Sequence, residues 1–187
     1  RFGPDSEQLC AELDDLLAWY RLLYLNLPIE RWTVWFLALT DRLETDVYLE
    51  TCRRLQMPER LMERLFGRRH RALKQLQGLR HVLNRGGEIS HSKLYHWLRG
   101  IPPELLLYGL ARNGQEELRR MVSLYLTRLV DVKPLVDGDD LLELGLNPGP
   151  GVRRLKERLL EARLDGQVAS KDEELTLARQ LIAAGTD

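Results

Sequence analysis

Apolar residues recur along this chain at spacings of three and four, and no stretch sustains a period of two. Leu9, Leu13, Leu16, Tyr20, Leu23 and Leu27 predict a first helix that Pro28 ends. Trp32, Trp35, Phe36, Leu39 and Leu43 predict a second, and the pair is expected to form a hairpin around an aromatic-rich core. A third helix, capped by Thr45 or Asp46, carries Tyr48, Cys52 and Leu55 and stops before Pro58. From Pro58 to about Leu83 the apolar set is Leu61, Leu65, Ala72, Leu76, Leu79 and Leu83. Arg60, Arg64, Arg68 and Arg71 project from another face, and Gly67 and Gly78 are where this helix breaks or bends. Ser90 or Ser92 opens the next helix, with Leu94, Tyr95, Trp97 and Leu98. Leu105 to Arg112 reads as a short helix stopped at Asn113-Gly114. A longer one follows, with Leu118, Met121, Val122, Tyr125 and Leu129 inward, and ends near Pro134.

The stretch from Pro134 to Gly166 is the most sharply punctuated. Asp residues at 137, 139 and 140 precede Leu141 to Leu144 as caps of a short helix, and the Gly145 to Gly151 run turns the chain into a basic helix. Leu155, Leu159 and Ala162 mark one side of that helix, and Gly166 closes it. Ser170 and Glu173 match a capping box ahead of Leu175, Leu177, Ala178, Leu181 and Ile182. Leucine dominates and β-branched residues are sparse, so the chain is expected to be all-α: a multi-helix body over 1–132 and a smaller helical tail over 133–187.

Length and composition narrow the class. A chain of 187 residues buries enough surface to fold without disulfides. Cys10 and Cys52 both lie in helix-like stretches, as expected of a reducing compartment. No apolar run approaches the length of a membrane span, and the expected setting is soluble and cytoplasmic, with no membrane partner. Beginning at Arg1, the chain is expected to be a fragment or a processed product. Lys plus Arg and Asp plus Glu number 28 each, so net charge names no partner, but the signs are segregated. Residues 1–50 hold ten acids against four bases, whereas within residues 60–85 Glu63 is the one acid among eight bases. Such asymmetry orients a protein on a polyanion, because Lys and Arg release condensed counterions.

Two features are candidates for phosphate contact. A helix N-terminus preceded by glycines presents unpaired N–H groups and the positive end of a dipole; Gly149 and Gly151 supply the backbone, and Arg153, Arg154 and Lys156 add charge. The other reading of the same residues is a sharp interhelical corner with a solvated basic face. The second feature is the Arg64, Arg68, Arg71 and Lys74 face, for which a solvated charge run is again the alternative. Asp137, Asp139 and Asp140 are caps rather than a metal-binding pair, since such a pair needs a rigid strand or hairpin. His70, His81, His91 and His96 lack metal-ligand spacing, and no phosphate loop, dinucleotide fingerprint or nucleophile elbow occurs. Trp19, Trp32, Trp35 and Trp97 sit at core spacing, so packing is expected of them rather than base stacking. Catalysis finds no constellation here.

The succession HSKLYHWLRGIPPELLLYGLAR, followed by YLTRLVDVKPLVDGDDLLELGLNPGPGVRRLKERLLEARLDGQV, resembles the C-terminal helical region of bacterial tRNA nucleotidyltransferases and related poly(A) polymerases. The G-D-D-L at Gly138 to Leu141, G-L-x-P-G-P at Gly145 to Pro150 and L-D-G at Leu164 to Gly166 carry the resemblance most specifically. WYRLLYLNLPIERWTVWFLALTDRL shares only the helical pattern. The resemblance implies a body and tail that hold tRNA or another structured RNA by shape and phosphate contact. It also implies that Mg²⁺ and ATP or CTP act on an N-terminal catalytic domain. This sequence contains neither that domain's strand-borne carboxylates nor the E-D-x-x-R nucleotide-reading motif, so whether the chain is itself an enzyme stays open. No cofactor is expected within these residues. The alternative is a helical protein-interaction or interdomain docking module without RNA binding.

Overall fold

The structure, a computed structural model, describes residues 4–184, with side chains from residue 7. Every regular element among these residues is helical, so the chain is all-α, as its apolar period requires. It divides into two compact units, Arg1–Glu88 with Trp97–Thr127 and Ile89–His96 with Arg128–Asp187.

In chain order the helices are α1 (Pro4–Leu22), α2 (Arg31–Leu39), α3 (Thr45–Arg54), α4 (Glu59–Met62), α5 (Arg69–Asn84), α6 (His91–Leu98), α7 (Pro103–Asn113) and α8 (Glu116–Leu124). They continue with α9 (Gly138–Glu143), α10 (Pro150–Leu164) and α11 (Lys171–Ala183). Wider π turns at Glu63–Gly67 and Tyr125–Leu129 join α4 to α5 and extend α8.

The first unit is built around α7. Every residue from Glu104 to Ala111 is buried, and a helix apolar on nearly all sides must be enclosed. Accordingly α7 packs against α1, α2, α5 and α8. A Cβ at Gly109 would overlap Leu76 Cδ1, so the bare glycine sets how closely α5 and α7 approach. Leu13, Leu16, Leu17 and Tyr20 bury one face of α1, and the Tyr20 hydroxyl donates to Leu27 O at 2.8 Å, tying down the turn before α2. Burial, with the Glu104 charge nearby, pushes the Tyr20 hydroxyl up to about 12.

Several local expectations are corrected. The buried stripe of α2 is Thr33, Val34, Leu37 and Ala38, while Trp32 and Leu39 are each 49% exposed and Leu43 is also exposed. This stripe faces α1 and α7, and Trp32 lies outside it, packed edge-on against Phe36. Packing in the core therefore does not describe Trp32. Neither Thr45 nor Asp46 caps α3: the N-cap is Glu44, with no side-chain cap, and Asp46 lies in the first turn. Leu55, exposed, follows the end of α3. Gly67 does close a bend, the π turn, whereas Gly78 stays inside α5, where the Trp97 indole lies against it and donates to Gln75 O at 2.9 Å.

In the second unit Val136, Leu141, Leu146, Leu155, Leu159 and Ala178 form the core shared by α9, α10 and α11. Both expected caps form. The Asp137 carboxylate accepts from the Asp139 and Asp140 N–H groups while Asp140 accepts from Asp137 N–H, and Ser170 and Glu173 reciprocate in the same way. At the N-terminus of α6, Ser90 Oγ accepts from Lys93 N at 3.3 Å, as expected of a helix start there, and from afar Asp165 accepts from Ser92 N at 2.8 Å and Ser92 Oγ at 2.7 Å. His96 lies between Glu157 and Glu161, 3.6 and 3.1 Å from their carboxylates.

The caps give this unit a pH dependence. The Lys171 ammonium, 2.8 Å away, and then the Asp137 N–H hold Asp140 below its ordinary value, and the Ala169 and Ser170 N–H groups do the same for Glu173. Asp140 in turn raises Lys171. A lowered carboxylate adds stability above its unfolded value and loses it as pH falls through the folded one; a raised ammonium adds stability below its unfolded value and loses it as pH rises through the folded one. Stability of the second unit is therefore expected to decline below about pH 4, and the Lys171 contribution to be lost only above about pH 10.5, as pH rises through its raised value. Thermal unfolding followed by NMR of the Leu141 and Leu155 methyls tests this; an acid decline equally deep in Asp140→Asn would remove Asp140 as a cause.

Candidate nucleic-acid interface

The sequence-predicted cations fall on both units. In the second, α10 begins at Pro150 after the N-cap Gly149, whose φ of 154° is a backbone glycine accommodates readily. Proline has no N–H to lose, and glycine has no side chain to cap with, so the Gly151 and Val152 amides lack intrahelical acceptors. Gly149, Arg153 and Arg154 are exposed, while Gly151 and Lys156 are half-buried. The stretch thus combines backbone donors without intrahelical acceptors with two exposed guanidiniums that follow directly. The neighbouring carboxylates are engaged: Glu157 and Glu161 face His96, and Asp137 and Asp140 serve the α9 cap. In the Asp-Gly-Asp-Asp run the Asp137 and Asp140 carboxylates are committed to N–H groups and Lys171, and among the described residues no group of three His, Cys, Asp or Glu is placed to hold a metal.

In the first unit the arginines that follow one another in sequence have different tasks. Arg64, on the π turn, is ion-paired to Glu104 at the start of α7, a carboxylate with no exposed surface. Arg69 donates to the Asp41 backbone O at 3.0 Å, to Asp41 Oδ1 at 3.3 Å and to the Tyr108 hydroxyl at 2.7 Å, and Arg112 lies 3.3 Å from the same Oδ1. Burial and its hydrogen bond to Asp41 push the Tyr108 hydroxyl up to about 12, against the pull of Arg69 and Arg112. These groups tie α5, α7 and the turn after α2 together, and Arg69 stacks on Tyr108 besides.

Arg68, Arg71 and Lys74 are exposed. Arg68 and Arg71 line a groove with Arg99, a residue the sequence pattern did not single out because it stands alone between the end of α6 and Gly100. Only the fold returns it to α5. Of the four residues expected to touch phosphate here, all exposed, Arg64 is ion-paired to the buried Glu104.

These features define an all-α protein with a cationic surface on each of its two units. Over 179 residues, 96% of the chain, it is 38% identical to the A-adding tRNA nucleotidyltransferase of Geobacter sulfurreducens, of which the match covers 20%. Over 113 residues, 59% of the chain, it is 31% identical to the A-adding tRNA nucleotidyltransferase of Halalkalibacterium halodurans, covering 26% of that protein. The chain belongs to the tRNA nucleotidyltransferase family, and it spans about a fifth to a quarter of the length of these curated relatives. No family model and no solved structure matches it. Among the described residues no helix is long and apolar enough to cross a membrane.

Proposed function

We propose that this chain is an RNA-holding, noncatalytic region of a nucleotidyltransferase that adds A to the 3′ end of tRNA. The observation that carries the reading is the likeness to A-adding tRNA nucleotidyltransferases along nearly the whole chain, joined to cations that the fold leaves outward on both units. Phosphate contacts made by Arg153, Arg154, Arg68, Arg71 and Lys74, with the Gly149–Gly151 amides, fix the RNA without reading its sequence. Holding the RNA body raises the effective concentration of its 3′ end at a catalytic centre elsewhere, where Mg²⁺ and ATP would supply the chemistry.

Alone, the chain is expected to bind tRNA with an affinity that falls as salt rises, and to transfer no nucleotide. A gel-shift salt titration compares it with Arg153→Glu/Arg154→Glu, which should bind more weakly and with a slope shallower by about 1 for each phosphate that the variant no longer neutralises. Equal binding by the two would remove α10 from the interface. Incorporation of nucleotide that survives repurification would overturn the noncatalytic reading.

One observation favours interdomain or protein docking as a second reading: Leu22, Tyr24, Trp32, Leu39, Val47 and Leu55 expose apolar surface in the first unit, Tyr24 at 87%. A chain that is dimeric and indifferent to tRNA at low salt would favour it.

A further inference from the structure

We propose that Arg71, Lys74, His81 and Arg85 form one track along α5 on which a backbone strand of the bound RNA lies; this rests on the RNA-holding reading above and carries its contact from the head of α5 to the far end. Arg71, Lys74, Gly78, His81 and Arg85 succeed one another by three, four, three and four residues, the spacing that returns a side chain to the same helix face at each turn. The buried residues of α5, Ala72, Leu76 and Leu79, lie on the other side of the helix, and Arg71, Lys74, His81 and Arg85 are all exposed. Midway along the track Gly78 adds no side chain, and the Trp97 indole lies against it, 3.3 Å from where a Cβ would stand.

Charge on α5 is sorted by face. Its 16 residues include no acid. Arg69 and Arg80, off the track, are engaged with the fold: Arg69 meets Asp41 and Tyr108, and Arg80 Nη1 lies 3.4 Å from Asn113 Oδ1. Among the described residues the side chains of Arg71, Lys74, His81 and Arg85 have no ion pair or hydrogen bond, so an anion meeting them displaces no bond of the fold. At a rise of about 1.5 Å per residue, the track extends about 21 Å from Arg71 to Arg85. A small anion meets one turn of it, whereas a polyanion meets its whole length and releases counterions at each phosphate neutralised. A membrane surface is the poorer match, because an interfacial helix buries an apolar face and among the described residues no large apolar side chain of α5 is exposed.

His81 and Arg85 distinguish a track from a contact confined to Arg71 and Lys74. The experiment is a tRNA salt titration of the full chain as wild type, Arg71→Gln, Lys74→Gln, Arg85→Gln, the triple variant, His81→Ala and Arg80→Gln. Tryptophan fluorescence, to which Trp97 contributes from beside α5, checks that each is folded. Arg85→Gln should lower the slope of log affinity against log salt by about 1, as should Arg71→Gln and Lys74→Gln, and the three together by about 3. His81→Ala should weaken binding. Arg80→Gln, one position before His81 but held to Asn113, should leave the slope unchanged. Wild-type affinity in a folded His81→Ala or Arg85→Gln, with salt-dependent binding intact in the wild type, overturns the track alone. Lower stability of Arg85→Gln at an unchanged slope would give Arg85 a helix-dipole role instead and overturns it equally. A slope lowered as much by Arg80→Gln as by Arg85→Gln would mean that total charge rather than this face sets binding, and it too overturns the track. Absence of tRNA binding by the wild type overturns the RNA-holding reading itself. Phosphatidylserine vesicles are the second probe: no binding that depends on Arg85 is expected, and vesicle binding lost in Arg85→Gln while tRNA binding is unchanged would assign the stripe to a membrane and overturn its assignment to RNA.

Discussion

Glu174→Ala is expected to cost the second unit about 3–5 kcal/mol, enough to abolish its cooperative structure near room temperature. Glu174 has no exposed surface, yet its carboxylate accepts from Leu135 N at 2.7 Å, Val136 N at 2.9 Å and Arg163 Nη1 at 2.9 Å. It thereby pins the extended segment before α9 to α11 and α10. Alanine removes the acceptor from two N–H donors and a guanidinium at once, and each unpaired group carries its own desolvation penalty. Glu174→Gln, which keeps one oxygen acceptor of the same reach, should lose less. All four tryptophans, Trp19, Trp32, Trp35 and Trp97, lie in the first unit, so their fluorescence reports that unit, and hydrogen exchange at α10 and α11 reports the second. Exchange in Glu174→Ala as slow as in the wild type would show that the carboxylate is dispensable.

Arg64→Ala is the second large effect, expected to cost the first unit about 1–3 kcal/mol. The cost is smaller than that of a fully enclosed pair because the Arg64 side chain is 47% exposed and part of its bond to Glu104 is screened. Glu104 is nevertheless wholly buried at the head of α7, and without Arg64 its charge faces the core unbalanced. Urea denaturation followed by tryptophan fluorescence measures the loss. Arg64→Ala/Glu104→Gln should recover part of it, the signature of coupling between the two groups. Once compared at equal folded concentration, Arg64→Ala should bind tRNA like the wild type, in contrast to the groove arginines. A folded Arg64→Ala with the salt slope lowered by about 1 would place Arg64 on the RNA instead.

That contrast marks the limit of what periodicity reveals. Arg60, Arg64, Arg68 and Arg71 fall on one face of an uninterrupted α-helix, and so they read as one cationic stripe. The π turn at Glu63–Gly67 rewinds the chain at that point, and Arg64 is ion-paired to Glu104 whereas Arg68 and Arg71 line the groove. Similarly, the apolar run of Leu105 to Leu110 is legible as helix but not as the centre of a unit. Periodicity identifies a helix from one face, and a helix buried all round has no face to show.

Local chemistry is more legible. Capping at Asp137 and Ser170 needs only residues within one turn of each other, and the Gly149-Pro150 entry to α10 follows from backbone geometry. By itself, then, the sequence determined the all-helical class, most helix starts and stops, and the basic composition of α5 and α10, because each depends on neighbours three or four residues away. Only the tertiary structure decided which carboxylates are buried, which arginines they hold, and that Arg99 borders one groove with Arg68 and Arg71. Those outcomes depend on residues far apart in the chain, and burial changes what a charge must pair with.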